Sequence, residues 1–224
     1  MCEDAPLIYG LEYPARSLSP QYLPSSNYPS FIRFIVGTQS LRSPNQLHIV
    51  EYSEESNTFS KVIFKHDGEL WWIGGCPKDG AIIATCYRDP GDPLVRRCGL
   101  FRFPIDVNNS IAEEDWIAPL ELEVLKDLKS SNDAVLGNMC AWEPDDGHRL
   151  ATIEGNKALI WDIEKLAVQT STEYKGKSIE RIHWSPHSNA SILGNIKMSD
   201  ISIVFRLISA KNFQVSVRTE IYMV

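Results

Sequence analysis

No stretch of this sequence is apolar for long enough to cross a bilayer, which takes about 20 residues in a helix. The most apolar run, Ile201 to Ile208, is short and carries Arg206, so direct membrane insertion is not expected. The amino terminus, Met1-Cys2-Glu3-Asp4-Ala5-Pro6, is acidic where a secretory signal needs a basic start followed by an apolar run. Basic runs are missing too. With 22 Lys and Arg against 29 Asp and Glu, the formal net charge is −7, which opposes attraction to nucleic acid or anionic lipid. The five cysteines (Cys2, Cys76, Cys86, Cys98 and Cys140) form an odd set without close pairs. That pattern predicts no disulfide framework and a reducing, cytoplasmic setting. The sequons Asn108-Asn109-Ser110 and Asn189-Ala190-Ser191 are then chance matches. Long helical periodicity is nearly absent, and the best helix candidate, Leu120 to Leu128, alternates in a way that fits a strand equally well.

What is present is a series of short apolar runs cut by turn residues. Hydrophobic residues make up 43% of the 224 and charged ones 23%, a balance that favours a folded core over disorder. Ile32 to Gln39 and Leu47 to Tyr52 flank Ser43-Pro44-Asn45, and Ala81 to Tyr87 follows Lys78-Asp79-Gly80. The turn Asp89 to Pro93 leads to Gly99–Phe103, while Arg149 to Glu154 and Ala158 to Ile163 flank Gly155-Asn156. Runs of this kind are strands, and the short glycine breaks are hairpins.

The strands recur in groups. Three segments close on a proline after an aromatic or apolar run: Leu70 to Pro77, Met139 to Pro144 and Arg181 to Pro186. Each is followed by a turn, an apolar strand, another turn and a strand with an aromatic near its end. Those later strands carry Phe101-Arg102, Trp161-Asp162 and Phe205-Arg206, with Val50-Glu51 at the corresponding place earlier. The intervals from Val50 to Phe101, Phe101 to Trp161 and Trp161 to Phe205 are 51, 60 and 44 residues. A propeller blade takes about 40–45, so the first two intervals require long loops. Polar stretches at Ser53–Thr58 and Asp106–Pro119 supply them. The expected fold is all-β, a partial WD40-type propeller of three to four blades.

Trp161-Asp162 at a strand end, with Trp142-Glu143-Pro144 before it and Trp184-Ser185-Pro186 after it, is similar to the WD40 repeat. The ordered series Ala5 to Glu12, Phe34 to Leu41, Asn45 to Val50, Gly68 to Trp71, Ala84 to Tyr87, Gly137 to Met139, Ile160 to Asp162 and Trp184 to His187 goes further. Together these segments resemble the family of WD-repeat proteins that interact with the EARP and GARP tethering complexes. The resemblance implies a non-enzymatic adaptor without cofactor or metal. It would bind tether subunits in endosomal recycling and endosome-to-Golgi retrograde transport, peripherally at the trans-Golgi network and endosomes. Trp142, Pro144, Trp161, Asp162, Trp184 and Pro186 then have blade-forming roles. The family carries about seven blades, whereas this sequence holds three complete groups and a partial fourth, as a truncated product would. Residues 1–190 are read as N-terminal blades, and 191–224 as a divergent segment or partial last blade.

Motifs for chemistry are weak. Lys175-Gly176-Lys177-Ser178 ends like a phosphate-binding loop, but Ser171 stands where the motif needs glycine. Cys76 and Cys86 are ten apart and Cys98 follows a long turn, spacings that do not suggest a zinc site. His183 and His187 have helical spacing with Pro186 between them. His66, before the turn Asp67-Gly68, reads as a structural histidine. Trp71 and Trp72 fall in a strand pattern, and Trp116 lies beside Glu113-Glu114-Asp115 in a loop, packed there or available for contact. Two alternatives stay open: a small all-β cytosolic hydrolase using His66, Cys86 or His183, and a non-functional fragment of the adaptor.

Overall fold

Short β-branched and aromatic runs between turn residues build strands and little else. The computed structural model describes residues 7–23, 31–41, 44–106, 110–111, 118–131, 135–144, 146–173, 178–185, 188–198, 201–208 and 220–221, with side chains as far as residue 184. Among the described residues, sixteen strands form four sheets of four. The first sheet holds β1 (Ala15–Pro20), β2 (Phe31–Thr38), β3 (Asn45–Ser53) and β4 (Thr58–His66). The second holds β5 (Leu70–Gly75), β6 (Ile82–Arg88), β7 (Arg96–Arg102) and β8 (Glu123–Asp127). The third holds β9 (Ala141–Trp142), β10 (Arg149–Glu154), β11 (Lys157–Asp162) and β12 (Ala167–Glu173). The fourth holds β13 (Arg181–Ser185), β14 (Ser188–Met198), β15 (Ile201–Ile208) and β16 (Glu220–Ile221).

Each sheet is an antiparallel meander in chain order. The first strands of successive sheets are neighbours, β1 with β5, β5 with β9 and β9 with β13. Sheets arranged around their first strands are propeller blades, so this is an all-β fold with four blades of a propeller. The sequence grouping predicts a partial fourth unit; the backbone gives it four strands, the last only two residues long. Strand β14 runs through position 190, where the sequence pattern changes.

A blade between two neighbours needs apolar residues on both faces, and the strand alternation provides them. In β6, Ile83 joins Ile35, Leu47 and Phe64 of the first blade. Its neighbours Ile82, Ala84 and Cys86 turn the other way, onto Leu150, Leu159 and Trp161 of the third. In β10, Leu150 faces the second blade, while Ala151 and Ile153 face Ile182 and Trp184 of the fourth. The β10–β11 hairpin is closed by Gly155-Asn156, flanked by the Glu154–Lys157 pair. Gly155 sits at φ 58°, a left-handed conformation that glycine enters without steric cost.

Val50-Glu51, Phe101-Arg102, Trp161-Asp162 and Phe205-Arg206 all lie in the third strand of their blades. The acidic residue of the first of these pairs is buried. Glu51 accepts a 2.7 Å hydrogen bond from Arg33 Nε, and both side chains are essentially inaccessible. It also accepts from the Ser110 hydroxyl and the Ile111 backbone N–H, which ties a residue of the long second-blade connection to the first blade.

Candidate functional site

The innermost strands carry the tryptophans that the sequence marks. Trp142, in β9, donates its indole N–H to the Gly74 carbonyl of β5 at 2.8 Å. Trp184, in β13, repeats the contact one blade on, donating to the Ala141 carbonyl of β9 at 2.7 Å. Both rings are buried, so each bond fastens a blade to the one before it. Gly74 permits this approach, since a Cβ there would run into the rings of Trp72 and Trp142. Trp161 is also buried and donates to Thr152 Oγ1 within its own blade. Asp162 accepts from the ammonium and then from the backbone N–H of Lys165, which hold its carboxyl below its ordinary value. Pro144 is exposed. Pro186, His187, Trp116, Cys2 and Lys175 to Lys177 lie outside the described residues.

Two clefts flank the inner strands. One, of about 370 Å³, is lined by Tyr22, Trp72, Pro77, Pro144, His183 and Trp184 among others. The second, of about 640 Å³, lies where the inner strands begin and includes Arg16, Trp71, Trp72, Arg96, Glu180 and Arg181. Two guanidinium groups lie over the Trp71 ring there, Arg16 at 3.8 Å and Arg88 at 4.7 Å from its centre. Its indole N–H is buried without a hydrogen-bond partner in the protein. Four arginines thus converge on one face of an acidic chain. They arrive from β1, β6, β7 and β13, which is why no basic run announces them. Tryptophan and arginine are the side chains that most often carry binding energy at protein interfaces.

The residues of the hydrolase alternative sit in three different settings. His66 is buried against Tyr87 and Phe101, with its ring nitrogens bonded to Gly68 and to Thr85 Oγ1 of the next blade. Cys86 is buried among other thiols, and His183 is an exposed residue of the smaller cleft. Burial lowers the His66 pKa to about 4, overcoming the opposing effects of the Gly68 hydrogen bond and Asp67. Between this value and the unfolded value near 6.5, the unfolded chain binds the extra proton. Stability from neutral His66 is therefore complete above pH ~6.5 and is lost as pH falls towards 4, by about 3 kcal/mol over the window. Urea titrations at pH 7.5 and pH 4.5 test this. His66→Gln is expected to be weaker at neutral pH and to lose correspondingly less on acidification.

The cysteine spacings do not suggest a zinc site, yet the fold brings three of the sulfurs together. Cys86 and Cys98 are cross-strand partners on β6 and β7, and Cys140, immediately before β9, reaches them from the next blade. The three Sγ atoms lie 3.5 Å (Cys86–Cys98), 3.2 Å (Cys86–Cys140) and 2.8 Å (Cys98–Cys140) apart, all buried. Burial pushes the Cys86 and Cys140 thiols well up, whereas hydrogen bonds from Cys140 and Cys86 pull Cys98 down. A hairpin centred on Asp92 pairs positions 86 and 98, so two of the three sulfurs follow from the turn at Asp89–Pro93. The third, Cys140, depends on blade-to-blade packing. Cys76 lies in the same apolar cluster but directs its sulfur to the Gly147 carbonyl.

Comparison with known proteins fits this architecture. The family model described as EIPR1 beta-propeller matches residues 4–218. The chain is 35% identical over 203 residues to the EARP and GARP complex-interacting protein 1 of Homo sapiens, covering 85% of this chain and 51% of that protein. It is also 35% identical, over 206 residues, to an EARP-interacting protein homolog of Danio rerio, covering 86% and 52%. The chain spans about half the length of these curated relatives. Among solved structures, the Cps50 (Swd1) beta-propeller domain from Myceliophteria thermophila is similar at a TM-score of 0.55 and 10% identity, covering 92% of this chain and 57% of that one. That likeness shows the propeller fold alone. A match over nearly the whole chain, on a structure that independently forms propeller blades, places this chain in the EIPR1 beta-propeller family.

Proposed function

We propose that this chain is a non-enzymatic contact module that binds EARP- and GARP-type tethering complexes. In this reading it serves endosomal recycling and endosome-to-Golgi retrograde transport, at the cytoplasmic face of endosomes and the trans-Golgi network. The family match carries the reading, because relatives 35% identical are named for interaction with these complexes. The geometry supports a docking face, the cleft where Arg16, Arg96 and Arg181 surround Trp71. Its chemistry suits an acidic segment of a partner, with arginines pairing carboxylates and the tryptophan supplying apolar area.

The test is affinity capture of the tagged 224-residue chain beside the full-length human relative from the same cell extract, with recovered proteins quantified by mass spectrometry. Tether subunits are expected with both baits. Recovery by the human protein and none by this chain would refute the assignment for this chain.

A further inference from the structure

We propose that Cys86, Cys98 and Cys140 form a three-thiolate site for a thiophilic ion, zinc(II) or copper(I), clamped across the seam between the second and third blades. Three separate pieces of chain deliver these sulfurs: two adjacent strands of one blade and the entry to the inner strand of the next. An isolated buried cysteine packs like a small hydrophobe, its sulfur against carbon. Here the sulfurs meet each other, every pair within 3.5 Å. A disulfide between Cys98 and Cys140 would use two of them and leave the convergence of the third unexplained. A single ion accounts for all three.

The surroundings suit a cation. Leu100, Leu128, Leu150, Leu159 and Trp161 belong to the same buried cluster and make a dry wall. The carboxylates of Asp127 and Glu154 set a negative potential at Cys98. Cys140 is also one of the residues lining the smaller cleft. Zinc bound at ~2.3 Å from each sulfur in a tetrahedron spaces its thiolates about 3.8 Å apart, so the trio opens on loading, most at the Cys98–Cys140 pair. The fourth position is left for an outside donor or water. Copper(I), a still softer ion, is satisfied by thiolates as well. On binding, the thiols release their protons to water and metal–sulfur bonds replace S–H bonds. No electrons are exchanged.

The reduced, purified chain, freed of metal with a chelator, is titrated separately with zinc(II) and copper(I) against a chromophoric competitor. Metal content is read by plasma mass spectrometry and the fold by circular dichroism. About one equivalent of one of these ions is expected, falling below about one-tenth in Cys98→Ala and Cys140→Ala and unchanged in Cys76→Ala. Which ion binds distinguishes the two sources. Should the alanine variants fail to fold, cobalt(II) loading of the wild type decides, through the presence or absence of a thiolate charge-transfer band. The proposal is overturned if the folded, reduced wild type retains neither ion, if Cys76→Ala loses metal equally, or if peptide mapping under native conditions shows a Cys98–Cys140 disulfide. None of these results bears on tether binding, so the two readings fail separately.

Discussion

Replacing Arg33 with methionine is expected to destabilise the chain by about 3–5 kcal/mol, the range for removing one partner of a buried ion pair. Arg33 and Glu51 are 1% and 2% exposed, so an orphaned Glu51 carboxylate has no water to fall back on. The neighbouring donors, Ser110 and the Ile111 N–H, satisfy part of its charge but cannot neutralise it. The arginine also lies over the Phe31 ring at 4.7 Å, and that contact goes with it. For a chain of this size the loss corresponds to roughly 6–20 °C in the unfolding midpoint. The double variant Arg33→Met with Glu51→Leu should recover much of the stability, since no charge is then left buried. It should stop short of full recovery because the hydrogen bonds that Ser110 and the Ile111 N–H donate to Glu51 are lost. Thermal denaturation of the wild type, the single variant and the double variant measures all three. A single variant within 1 kcal/mol of wild type would show that this pair is open to solvent.

The second large effect is at Trp142. Its ring fills the seam between the second and third blades, and its N–H fastens β9 to the Gly74 carbonyl. Trp142→Ala is expected to cost about 3–5 kcal/mol through the lost burial of the ring and the cavity it leaves. Trp142→Phe keeps most of the ring and removes the hydrogen bond, which should cost about 1 kcal/mol. The contrast separates packing from fastening. Limited proteolysis adds a readout of where the damage falls: in Trp142→Ala, cleavage should rise first in the connection between β8 and β9, because that seam opens. Trp184→Phe should behave like Trp142→Phe, since it makes the same bond one blade further on. Equal stability of Trp142→Ala and Trp142→Phe would mean that the seam closes without the ring.

The strands legible in the sequence are those buried on both faces. Central strands such as β6 and β10 are almost continuously buried and stand between clear turns. Strand β1 is hidden for the opposite reason. It buries Ser17 and Ser19 and exposes Leu18, so its pattern is inverted, with Ser19 Oγ accepting the Gly75 N–H of the next blade. Strand β12, AVQTSTE, is an outer strand with little buried surface and no apolar run to mark it. The segment around Leu120–Leu128, ambiguous by pattern, resolves as β8 because it pairs with β7.

The site was legible only in part. The tryptophans of the inner strands stood out through their recurrence before proline, although recurrence could not reveal that their N–H groups fasten neighbouring blades. The structural role read for His66 agrees with its burial and its bond to Thr85. The thiol trio and the arginine face escaped notice because each gathers residues from different strands or blades. Spacing along the chain carries no trace of such contacts.

Tether binding through the Trp71 cleft is most directly tested by titrating a purified tethering complex with this chain and its Trp71→Ala variant, reading bound fraction by biolayer interferometry. Saturable binding is predicted for the wild type, and binding about 30-fold weaker for Trp71→Ala, the effect of removing a hot-spot aromatic worth about 2 kcal/mol. Absence of binding by the folded wild type, with the full-length human relative binding in the same assay, would contradict it.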